Sequence, residues 1–548
     1  MSGAPIPPFS LYFHTLRYLK PSQFLGRLKF RFSRPTPDLR PAPAVRQASG
    51  SWSRCSRTPS MLAPLRFRFL SVEHNLAAAG DWNCPDWPKL WLYNLHYFDD
   101  LNADGADTRA EWHRSLIARW ADENPPASGN GWEPYPVSLR IVNWVKWSLA
   151  GNRLEQGWEQ SLAVQARWLQ RRLEWHLLGN HLFTNAKALI FAGSYFSGPE
   201  ADTWRDEGLG IVQEQLAEQV LADGGHFERS PMYHAIACED LLDLVNLARC
   251  YPSCIPTDTV LVWRETVVRM LQWLRIMTHP DGDIVQFNDS AFGIAPTTDH
   301  LLHYAEDMKI QAVPLSGTMS HLADTGYVRL EQGPATIFLD VAPIGPDYLP
   351  GHAHADTLTF ELSLFGQRWI VDDGCSTYDE GAERLRQRGT AAHNTVVVDD
   401  AESSEVWASF RVARRARIQG LVLSEVAGHC TVSASHDGYL RLPGQVTHKR
   451  NVTLCPTALD VVDELTGRYR NAVSHLLLHP DVTVLKLTAQ SLELQRSGQI
   501  ATLVISEGSA QIEPAKWHPG FGVAHETHRI CLTMKSSRLT TRLSWAAE

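Results

Sequence analysis

The periodicity of apolar residues changes once along the chain, near Met319, and this change limits the fold more than any other feature. Before it, from about Trp82 to Ile310, apolar residues recur every three or four positions in segments such as PVSLRIVNWVKWSLAG, the spacing of amphipathic helices. After it, short β-branched runs such as TLTFELSLFG and ATLVISEG are bounded by turn residues at fairly even intervals. The sequence therefore predicts a helical half, then an antiparallel β-sandwich, with a groove between them as the natural place for a site.

The first 75 or so residues resemble neither half. Up to about Leu70, arginine is frequent, Asp38 is the only acid, and proline and serine are common between Pro35 and Ser60. One interpretation is a basic arm for a membrane surface or an acidic partner. The other, which the aromatic residues of the segment favour, is an arm that packs against the acidic body of its own chain. The predicted domains are a packed arm over 1–75, a helical domain over 76–315 and a β domain over 316–548.

Composition excludes several classes of protein. The chain has 548 residues, 44% hydrophobic and 20% charged, which is ordinary for a globular protein of two or three domains. A net charge of -9 gives no indication of a nucleic-acid partner. No run is apolar enough to span a bilayer and the start carries no export signal, so we expect a cytoplasmic protein, with the periplasm as the alternative. The 9 irregularly spaced cysteines predict mostly free thiols.

Histidines and aspartates are concentrated in the span 351–400. If HAHAD begins a strand, its two histidines and its aspartate share one face. TLTFELSLF and RWIVDDG then form a hairpin, turning at Gly366, that returns an aspartate to the histidines, and AHNTVVVDD is a third strand with a histidine at its start. Two imidazoles and a carboxylate suit zinc, although polar groups hydrogen-bonded near a sheet edge are the alternative. The residues concerned are His352, His354, Asp356, Asp372 and His393.

Polar groups interrupt the apolar helices at four places in the helical half. Each place alone is more typical of a helix cap or a structural contact than of a catalytic site. The four stretches are GWEPYPVSLRIVNW with Tyr135 and Arg140, LLGNHLFTNAKAL with Asn180, His181 and Asn185, GGHFERSPMYHAIACEDL with Glu228, Tyr233 and His234, and FNDSAFG with Asn288 and Asp289.

Taken in order, GNHLFTNAKAL, ERSPMYH, FNDS, GHAHADTLTFEL, the VDDG turn and AHNTV resemble the heparinase II/III-like polysaccharide lyase superfamily. The early phrase TLRYLKPSQFLGRLKFRF is similar to the start of members found with bacterial exopolysaccharide and surface-polysaccharide genes. The resemblance covers nearly the whole chain. It implies a multidomain α+β protein in which an N-terminal (α/α) toroid, an incomplete α-barrel, precedes a C-terminal antiparallel β-sandwich. An acidic polysaccharide would lie in the groove between the two domains.

The resemblance also implies roles for individual residues. The catalytic residues would be Asn180, His181, Tyr233, His234, His352 and Tyr378, and a zinc ion, expected to be structural, would be held by His354, Asp372 and His393. Among the other polar residues described above, the candidates for substrate binding are Tyr135, Arg140, Glu228, Asn185 and Asp289.

The implied reaction, β-elimination next to a uronic acid, explains these residue types. The C5 proton is very weakly acidic, so hydrogen-bond donors on the neighbouring carboxylate must spread the developing charge, a role that suits Asn180 and His181. A base then takes the proton and an acid protonates the departing oxygen. Tyr233 suits either step if burial and a neighbouring cation lower its pKa from about 10. His352 suits the base for the other sugar epimer.

Two other classes of function stay open from sequence. A glycoside hydrolase on the same scaffold needs two carboxylates about 5 to 9 Å apart, and Glu228, Asp289, Asp356 and Asp373 are candidates. A polysaccharide-binding or assembly protein without catalysis is the third, against which the presence of all the catalytic sets in one chain argues. A homodimer is left open, and no nucleic-acid partner is expected.

Overall fold

The computed structural model describes residues 9–426 and 428–546, so the first eight residues of the predicted arm lie outside the described part. Two helices begin it, α1 (Phe9–Leu16) and α2 (Pro21–Phe32), and an extended segment leads to a small antiparallel sheet of β1 (Met61–Ala63), β2 (Arg66–Phe69) and β3 (Val72–Asn75). The Tyr12 ring of α1 lies 5.0 Å from that of Trp407, and the Phe30 ring of α2 lies 4.2 Å from that of His176. This segment therefore contacts both halves of the protein.

Helices make up most of the chain between residues 89 and 307. They are α3 (Lys89–Tyr97), α4 (Ala110–Glu123), α5 (Pro134–Leu149), α6 (Gln156–Gln170), α7 (Gly179–Tyr195), α8 (Pro199–Gln219), α9 (Pro231–Cys250), α10 (Thr257–Ile276) and α11 (Thr298–Asp307). In α7 every residue except Asn180 and His181 is buried, because α5, α8 and α9 pack around it. A helix that is apolar on all sides is stable only when surrounded in this way. The two partly exposed residues are thereby confined to one end.

Strands follow from residue 319 onward. Five form one sheet in the order β4 (Met319–Leu322), β5 (Tyr327–Gln332), β6 (Ala335–Asp340), β7 (Phe360–Leu364) and β8 (Gln367–Ile370). The helix α12 (Ala382–Arg388) and the paired β10 (Val406–Trp407) and β11 (Arg411–Val412) lie in the connections. The remaining strands are β9 (Val396–Val398), β12 (Ile418–Val426), β13 (His429–His436), β14 (Thr447–Cys455), β15 (Ala458–Thr466), β16 (Ala472–Leu477), β17 (Thr483–Leu487), β18 (Ser491–Arg496), β19 (Gln499–Ser506), β20 (Gly508–Trp517), β21 (His525–Met534) and β22 (Arg538–Trp545).

The later strands form a large and a small antiparallel sheet around a common apolar core. The large sheet has the order β12-β13-β14-β15-β22-β19-β18-β17, and the small one has the order β20-β21-β16-β9. Buried and partly exposed residues alternate along β13 and β15, as expected for strands with one face on the core. In contrast, β6 and β7 are buried along their whole length, because they are covered on both faces. The predicted fold class, a helical toroid followed by an antiparallel sandwich, is confirmed.

A segment after α10 ties the helical half to the β half. The Glu361 carboxylate of β7 accepts hydrogen bonds from the Gln286 backbone N–H (2.6 Å) and from Arg368 (3.0 Å), and it lies 3.1 Å from His279 Nε2. Gln286 Oε1 also accepts a hydrogen bond from the Trp517 indole (2.8 Å). These buried contacts hold the FNDS stretch, which follows directly, against the first strands of the β domain.

The structure confirms some of the local expectations and corrects another. The hairpin at Gly366 is present, with β7 and β8 antiparallel and Gly366 at φ +74°. The expectation that HAHAD begins a strand is wrong, because residues 352–356 lie in the loop between β6 and β7. All 9 cysteines are free, as predicted. Among the described residues, no helix combines the length and the apolar character needed to cross a membrane.

Candidate active site

A buried carboxylate, Asp289, lies at the centre of the candidate site. Its Oδ2 is 2.9 Å from Nδ1 of His352, and its Oδ1 is 2.8 Å from Nε2 of His354. The Arg384 guanidinium binds both oxygens, at 2.7 Å to Oδ2. The Asp289 backbone N–H also donates to the His352 carbonyl at 3.0 Å, so the FNDS loop and the HAHAD loop are joined directly. The two histidines converge because they share one carboxylate, and no strand is needed to align them.

This arrangement defines the proton positions on both histidines. Burial disfavours a charge on Asp289, but Arg384 and the two imidazoles hold the pKa of this carboxyl well below its usual value, so it is an acceptor only. His352 must therefore carry a proton on Nδ1, and the neutral tautomer compatible with this contact has its lone pair on Nε2. Burial lowers the pKa of His354 to about 3, so this ring is neutral, protonated on Nε2, with a lone pair on Nδ1.

Two tyrosines complete the group around His352. The Tyr233 ring stacks on the imidazole with centroids 3.9 Å apart, and its hydroxyl lies 3.1 Å from that of Tyr378. Tyr233 is in the first turn of α9, where Ser230 Oγ caps the helix by accepting the Tyr233 N–H at 3.2 Å. Ser230 also donates to the Asp289 carbonyl at 2.6 Å. The SPMYH motif therefore places a tyrosine against His352 by means of an N-cap that is tied to the FNDS loop.

Both tyrosines hold their protons firmly. Burial raises the pKa of Tyr233 and that of Tyr378 well above the usual value of a phenol. The Arg384 guanidinium lies 5.0 Å from the centre of the Tyr378 ring, and it is already paired with Asp289. The sequence-based condition for Tyr233 as a base, a lowered pKa, is therefore not met in this geometry. A protonated Tyr233 is suited to donate its proton.

The start of α7 contributes the second part of the site. Leu178 and Gly179 have positive φ angles of 62° and 54°, and this sharp turn leaves Asn180 and His181 partly exposed. A Cβ on Gly179 would lie 2.6 Å from Glu228 Oε1 and 2.5 Å from a methyl group of Leu349. Only glycine fits this position, both for its φ angle and for its closeness to Glu228.

His181 is oriented by a carboxylate that the sequence analysis did not single out. Glu174 Oε2 lies 3.2 Å from His181 Nδ1, and Asn185 Nδ2 donates to the same carboxylate at 3.1 Å. Burial opposes protonation of His181, but the Glu174 charge outweighs it and raises the pKa of this histidine above its usual value. The Tyr135 ring packs on His181 at 4.6 Å between centroids. His181 is thus a favourable hydrogen-bond donor at the open end of α7.

Glu228 lies between the two parts of the site. Its Oε2 is 3.7 Å from His352 Nε2, and neither carboxylate oxygen accepts a hydrogen bond of good geometry from a described residue, although the Asn180 backbone N–H is close enough to lower its pKa. Burial raises the pKa of Glu228, although His352 and His181 act in the opposite direction. An unpartnered buried carboxyl is costly in a resting protein, so this group is suited to meet a ligand.

Four residues predicted to act in catalysis or substrate binding are buried and fully engaged with other protein groups, and of the four only Asp289 lies inside the candidate site. Arg140 stacks on Trp120 and donates to Gln165 and to two backbone carbonyls. His234 accepts the His226 N–H and contacts the Met270 carbonyl through Nε2, and burial lowers its pKa to about 4. Asn185 supports Glu174 and Asp289 supports the histidines, so neither binds substrate. The corrected residues are therefore Arg140, Asn185, His234 and Asp289.

The predicted zinc ligands, His354, Asp372 and His393, lie close together behind the loop that holds His352. Their rings converge, with the His354 and His393 centroids 5.2 Å apart. His354 Nδ1, His393 Nε2 and Asp356 Oδ2 are buried without a hydrogen-bond partner in the described part of the chain. Asp372 instead bonds His393 Nδ1 at 2.8 Å, as a carboxylate behind a metal-binding histidine does. In this arrangement, no three described His, Cys, Asp or Glu side chains come close enough together to bind one metal ion. The imidazole nitrogens without a hydrogen-bond partner are nevertheless ligands of the type that zinc prefers.

Three functional neighbours were missed by sequence reasoning. Glu174 lies near the end of a long amphipathic pattern, and Arg384 lies in the charged run AERLRQR. Nothing in either stretch distinguishes the functional residue from the other charged residues around it. Phe410 is an exposed aromatic ring at the rim, 6.1 Å from the His352 ring and 5.3 Å from that of Tyr378. Exposed rings beside a polar cleft are suited to stack on sugars.

Together, the fold and the site define a two-domain protein with a helical toroid, a β-sandwich and a tyrosine–histidine cluster at their junction. Two family models match the chain, the heparinase II/III N-terminus over residues 116–307 and the heparinase II/III-like C-terminal domain over residues 315–546. The chain therefore belongs to the heparinase II/III-like superfamily.

Curated relatives match the chain over different extents. A heparin-sulfate lyase from Bacteroides stercoris is 27% identical over 40% of this chain, and the match spans only 36% of that relative. FtsZ-localized protein C from Caulobacter vibrioides is 27% identical over 72% of this chain and 66% of its own length. Among solved structures, heparinase III superposes with a TM-score of 0.67 at 21% identity, covering 83% of this chain and 77% of that one. That likeness establishes the fold.

Proposed function

We propose that this protein is a polysaccharide lyase that cleaves a uronic-acid-containing polymer by β-elimination. The observation that carries the proposal is the stacked pair of Tyr233 and His352, with Tyr378 at 3.1 Å from the Tyr233 hydroxyl. Glu228 connects this group to the exposed start of α7. A base, an acid and carboxylate-binding donors are thus gathered in one groove, which is the set that elimination requires.

The uronate carboxylate is assigned to the start of α7. Asn180 offers an amide donor and His181 a ring whose protonated form is favoured by Glu174. Donors aimed at this carboxylate stabilise the negative charge that develops when C5 loses its proton. A protonated Glu228 adds a further donor, and an anionic ligand nearby raises its pKa further.

Proton removal and delivery are divided between His352 and Tyr233. Asp289 fixes the His352 tautomer with a free lone pair on Nε2, so this atom is the base. Tyr233 retains its proton because burial raises its pKa, so it is the acid that protonates the departing glycosidic oxygen. The Tyr233 phenolate is then reprotonated from solvent through the Tyr378 hydroxyl 3.1 Å away, and His352 releases the C5 proton to solvent.

The hydrolase alternative is weaker on geometric grounds. Of the four candidate carboxylates, Asp289 is locked by Arg384, and Asp373 is locked by Arg386 (2.7 Å) and His518 (2.8 Å). Asp356 is buried beside the histidines of the candidate zinc cluster. Glu228 alone of the four lies beside His352 without a cation on its carboxylate, and a hydrolase needs two available carboxyl groups across the scissile bond.

The substrate class follows from chemistry and from the relatives. The donor set selects a sugar with a carboxylate, and the matched Bacteroides protein is named as a heparin-sulfate lyase. Heparan sulfate, alginate and acidic bacterial polysaccharides are therefore the first polymers to test.

We also propose a structural zinc ion at His354 and His393, with Asp372 as the predicted carboxylate. The orphaned nitrogens of the two histidines support this assignment, and Asp356 offers the one unpartnered oxygen beside them. A metal held there would fix the loop that presents His352. Analysis of metal content by mass spectrometry tests this proposal independently of activity.

The test of the reaction is Tyr233→Phe, read by two assays on each polymer. Elimination creates an unsaturated uronate that absorbs in the ultraviolet, whereas hydrolysis creates reducing ends without that chromophore. We expect the wild-type protein to generate both signals in equal amounts and the variant to lose about 10²–10⁴-fold in rate. Reducing ends without absorbance would establish hydrolysis, and wild-type rates in Tyr233→Phe would remove Tyr233 from the mechanism.

A further inference from the structure

The first two helices present a large apolar surface to solvent. Phe9 is 84% exposed, Phe32 is 75% exposed and Leu25 is 68% exposed, fractions that are unusual for such side chains. We call the exposed apolar residues of these helices the outer face. They are Phe9, Phe13 and Leu16 of α1 and Phe24, Leu25, Leu28 and Phe32 of α2.

The opposite side of α2 is fixed to the body of the protein. Gln23 is buried and donates to the Tyr348 carbonyl at 3.3 Å, and the Phe30 ring packs on His176. A Cβ on Gly26 would lie only 2.9 Å from the backbone nitrogen of His176, so α2 packs closely against the body at this point. At 3.6 residues per turn, Gln23, Gly26 and Phe30 share one side and the outer face lies on the other. The exposed residues therefore cannot turn inward without breaking these contacts.

The other helix is held in the same way. Tyr12 packs on Trp407, and Thr15 Oγ1 donates to the Val412 carbonyl at 3.3 Å while accepting from the Trp407 indole at 3.1 Å. Lys20, between the two helices, pairs with Glu218. Both helices are thus fixed to the body on one side and carry an apolar surface that no other described residue covers, and an exposed apolar patch of this kind marks an interaction site.

Charge indicates what covers this surface. Arg27 and Arg31 border the outer face of α2 on one side and Lys29 borders it on the other, and none of the three forms an ion pair with a described residue. Residues 9–37 contain no aspartate or glutamate, although the whole chain has a net charge of -9. A second copy of the chain docking by the same face would bring these cations together, which like charges oppose. An apolar band bordered by cations instead matches an anionic lipid surface.

We propose that the outer face binds the surface of a membrane containing anionic lipids. Its phenylalanine and leucine side chains enter the boundary between head groups and acyl chains, and Arg27, Lys29 and Arg31 pair with lipid phosphates. The helices lie in the plane of the membrane, and none crosses it. Such binding would hold the lyase groove at a fixed distance from a surface that carries polysaccharide.

The test uses the whole protein and sedimentation with lipid vesicles. We expect the protein to sediment with vesicles of equal phosphatidylglycerol and phosphatidylcholine, to remain in solution with phosphatidylcholine alone, and to be released by salt. Leu25→Glu with Leu28→Glu should weaken binding at least about tenfold, since two exposed leucines lose their apolar contact with lipid. Reversing Arg27 and Arg31 to glutamate should give a comparable loss.

A matched control comes from the β domain. Val422 and Val426 are exposed apolar residues on the edge strand β12, and replacing both by glutamate adds the same charge elsewhere. This control should sediment as the wild type does, and all variants should keep wild-type lyase rates on a soluble oligosaccharide. The proposal fails if the wild type binds neither vesicle, or if the Val422 and Val426 control loses as much binding as the Leu25 and Leu28 variant. A concentration-dependent dimer that the leucine substitutions abolish, without vesicle binding, would show that a second copy covers the face.

Discussion

Asp289→Asn is the substitution that tests the assigned geometry most directly. The side chain keeps its size, but one carboxylate oxygen becomes an NH₂ group that can only donate. Where the NH₂ takes the place of Oδ2, 2.9 Å from His352 Nδ1, this donor requires a lone pair on Nδ1 and moves the ring proton to Nε2. His352 would then present a hydrogen to the substrate where it now presents its base.

The expected effects are large and of two kinds. Loss of a positioned general base costs about 10²–10⁴-fold in rate, and because the inverted tautomer affects the chemical step, we expect the loss in kcat with little change in KM. Asp289 also neutralises the fully buried Arg384, and removal of one partner from a buried ion pair costs about 3–5 kcal/mol in unfolding free energy. Reduced stability is therefore expected together with reduced turnover.

Asp373→Asn provides the control that separates the two effects. Asp373 is also buried and bound to a histidine, His518, and an arginine, Arg386, but it has no contact with His352. Its stability penalty should be smaller, since Arg386 is partly exposed and keeps a 2.8 Å pair with Glu383. Steady-state kinetics, at a temperature at which both variants are folded, give kcat and KM. Denaturant unfolding gives the free energy of unfolding of each variant. Equal kcat values for Asp289→Asn and the wild type would refute the tautomer argument.

Two further predictions concern the pairs beside the groove. Because Glu174 raises the pKa of His181, Glu174→Gln should lower that pKa and move the alkaline limit of activity to lower pH. The same pair stabilises the fold below the unfolded pKa of histidine and loses this effect as pH rises through the folded value, so the ion-pair part of the destabilisation of Glu174→Gln should vanish at high pH. A pH profile that does not move would contradict this role. If the proposed zinc is bound, His393→Ala should remove it and lower the melting temperature, and a wild type that contains no zinc as purified would rule the proposal out.

Most of the architecture could be predicted from the sequence, because the side of a helix or strand that is buried determines the spacing of its apolar residues. The nearly continuous apolar pattern of α7 reflects a helix surrounded by others, and the alternation in β13 and β15 reflects strands with one covered face. The loop holding His352 was mistaken for a strand because HAHAD alternates as a strand does. In this loop the alternating histidines bind Asp289, which lies about 65 residues earlier in the chain. A contact at that separation cannot be predicted from the local sequence pattern.

The candidate site was only partly predictable for a similar reason. Motif resemblance led to Tyr233, His352, Tyr378 and the start of α7, which the fold gathers together. It could not separate exposed members of a motif from their buried neighbours, because adjacent residues in the first turn of α9 point in different directions. Tyr233 faces the groove, whereas His234 faces the core and contacts Met270 and Trp273.

Glu228 shows why the distribution of carboxylates decides between elimination and hydrolysis. A hydrolase would keep two carboxyl groups available for the substrate, but here Asp289 and Asp373 are each neutralised by an arginine and bonded to histidine. Among the described residues, Glu228 is the carboxyl group beside His352 that no cation or hydroxyl neutralises, and burial raises its pKa, which shifts it toward the neutral form. A neutral carboxyl group can donate to a uronate, whereas a second anion would repel it. The site is therefore built to receive a negative charge from its ligand, as elimination at a uronic acid requires.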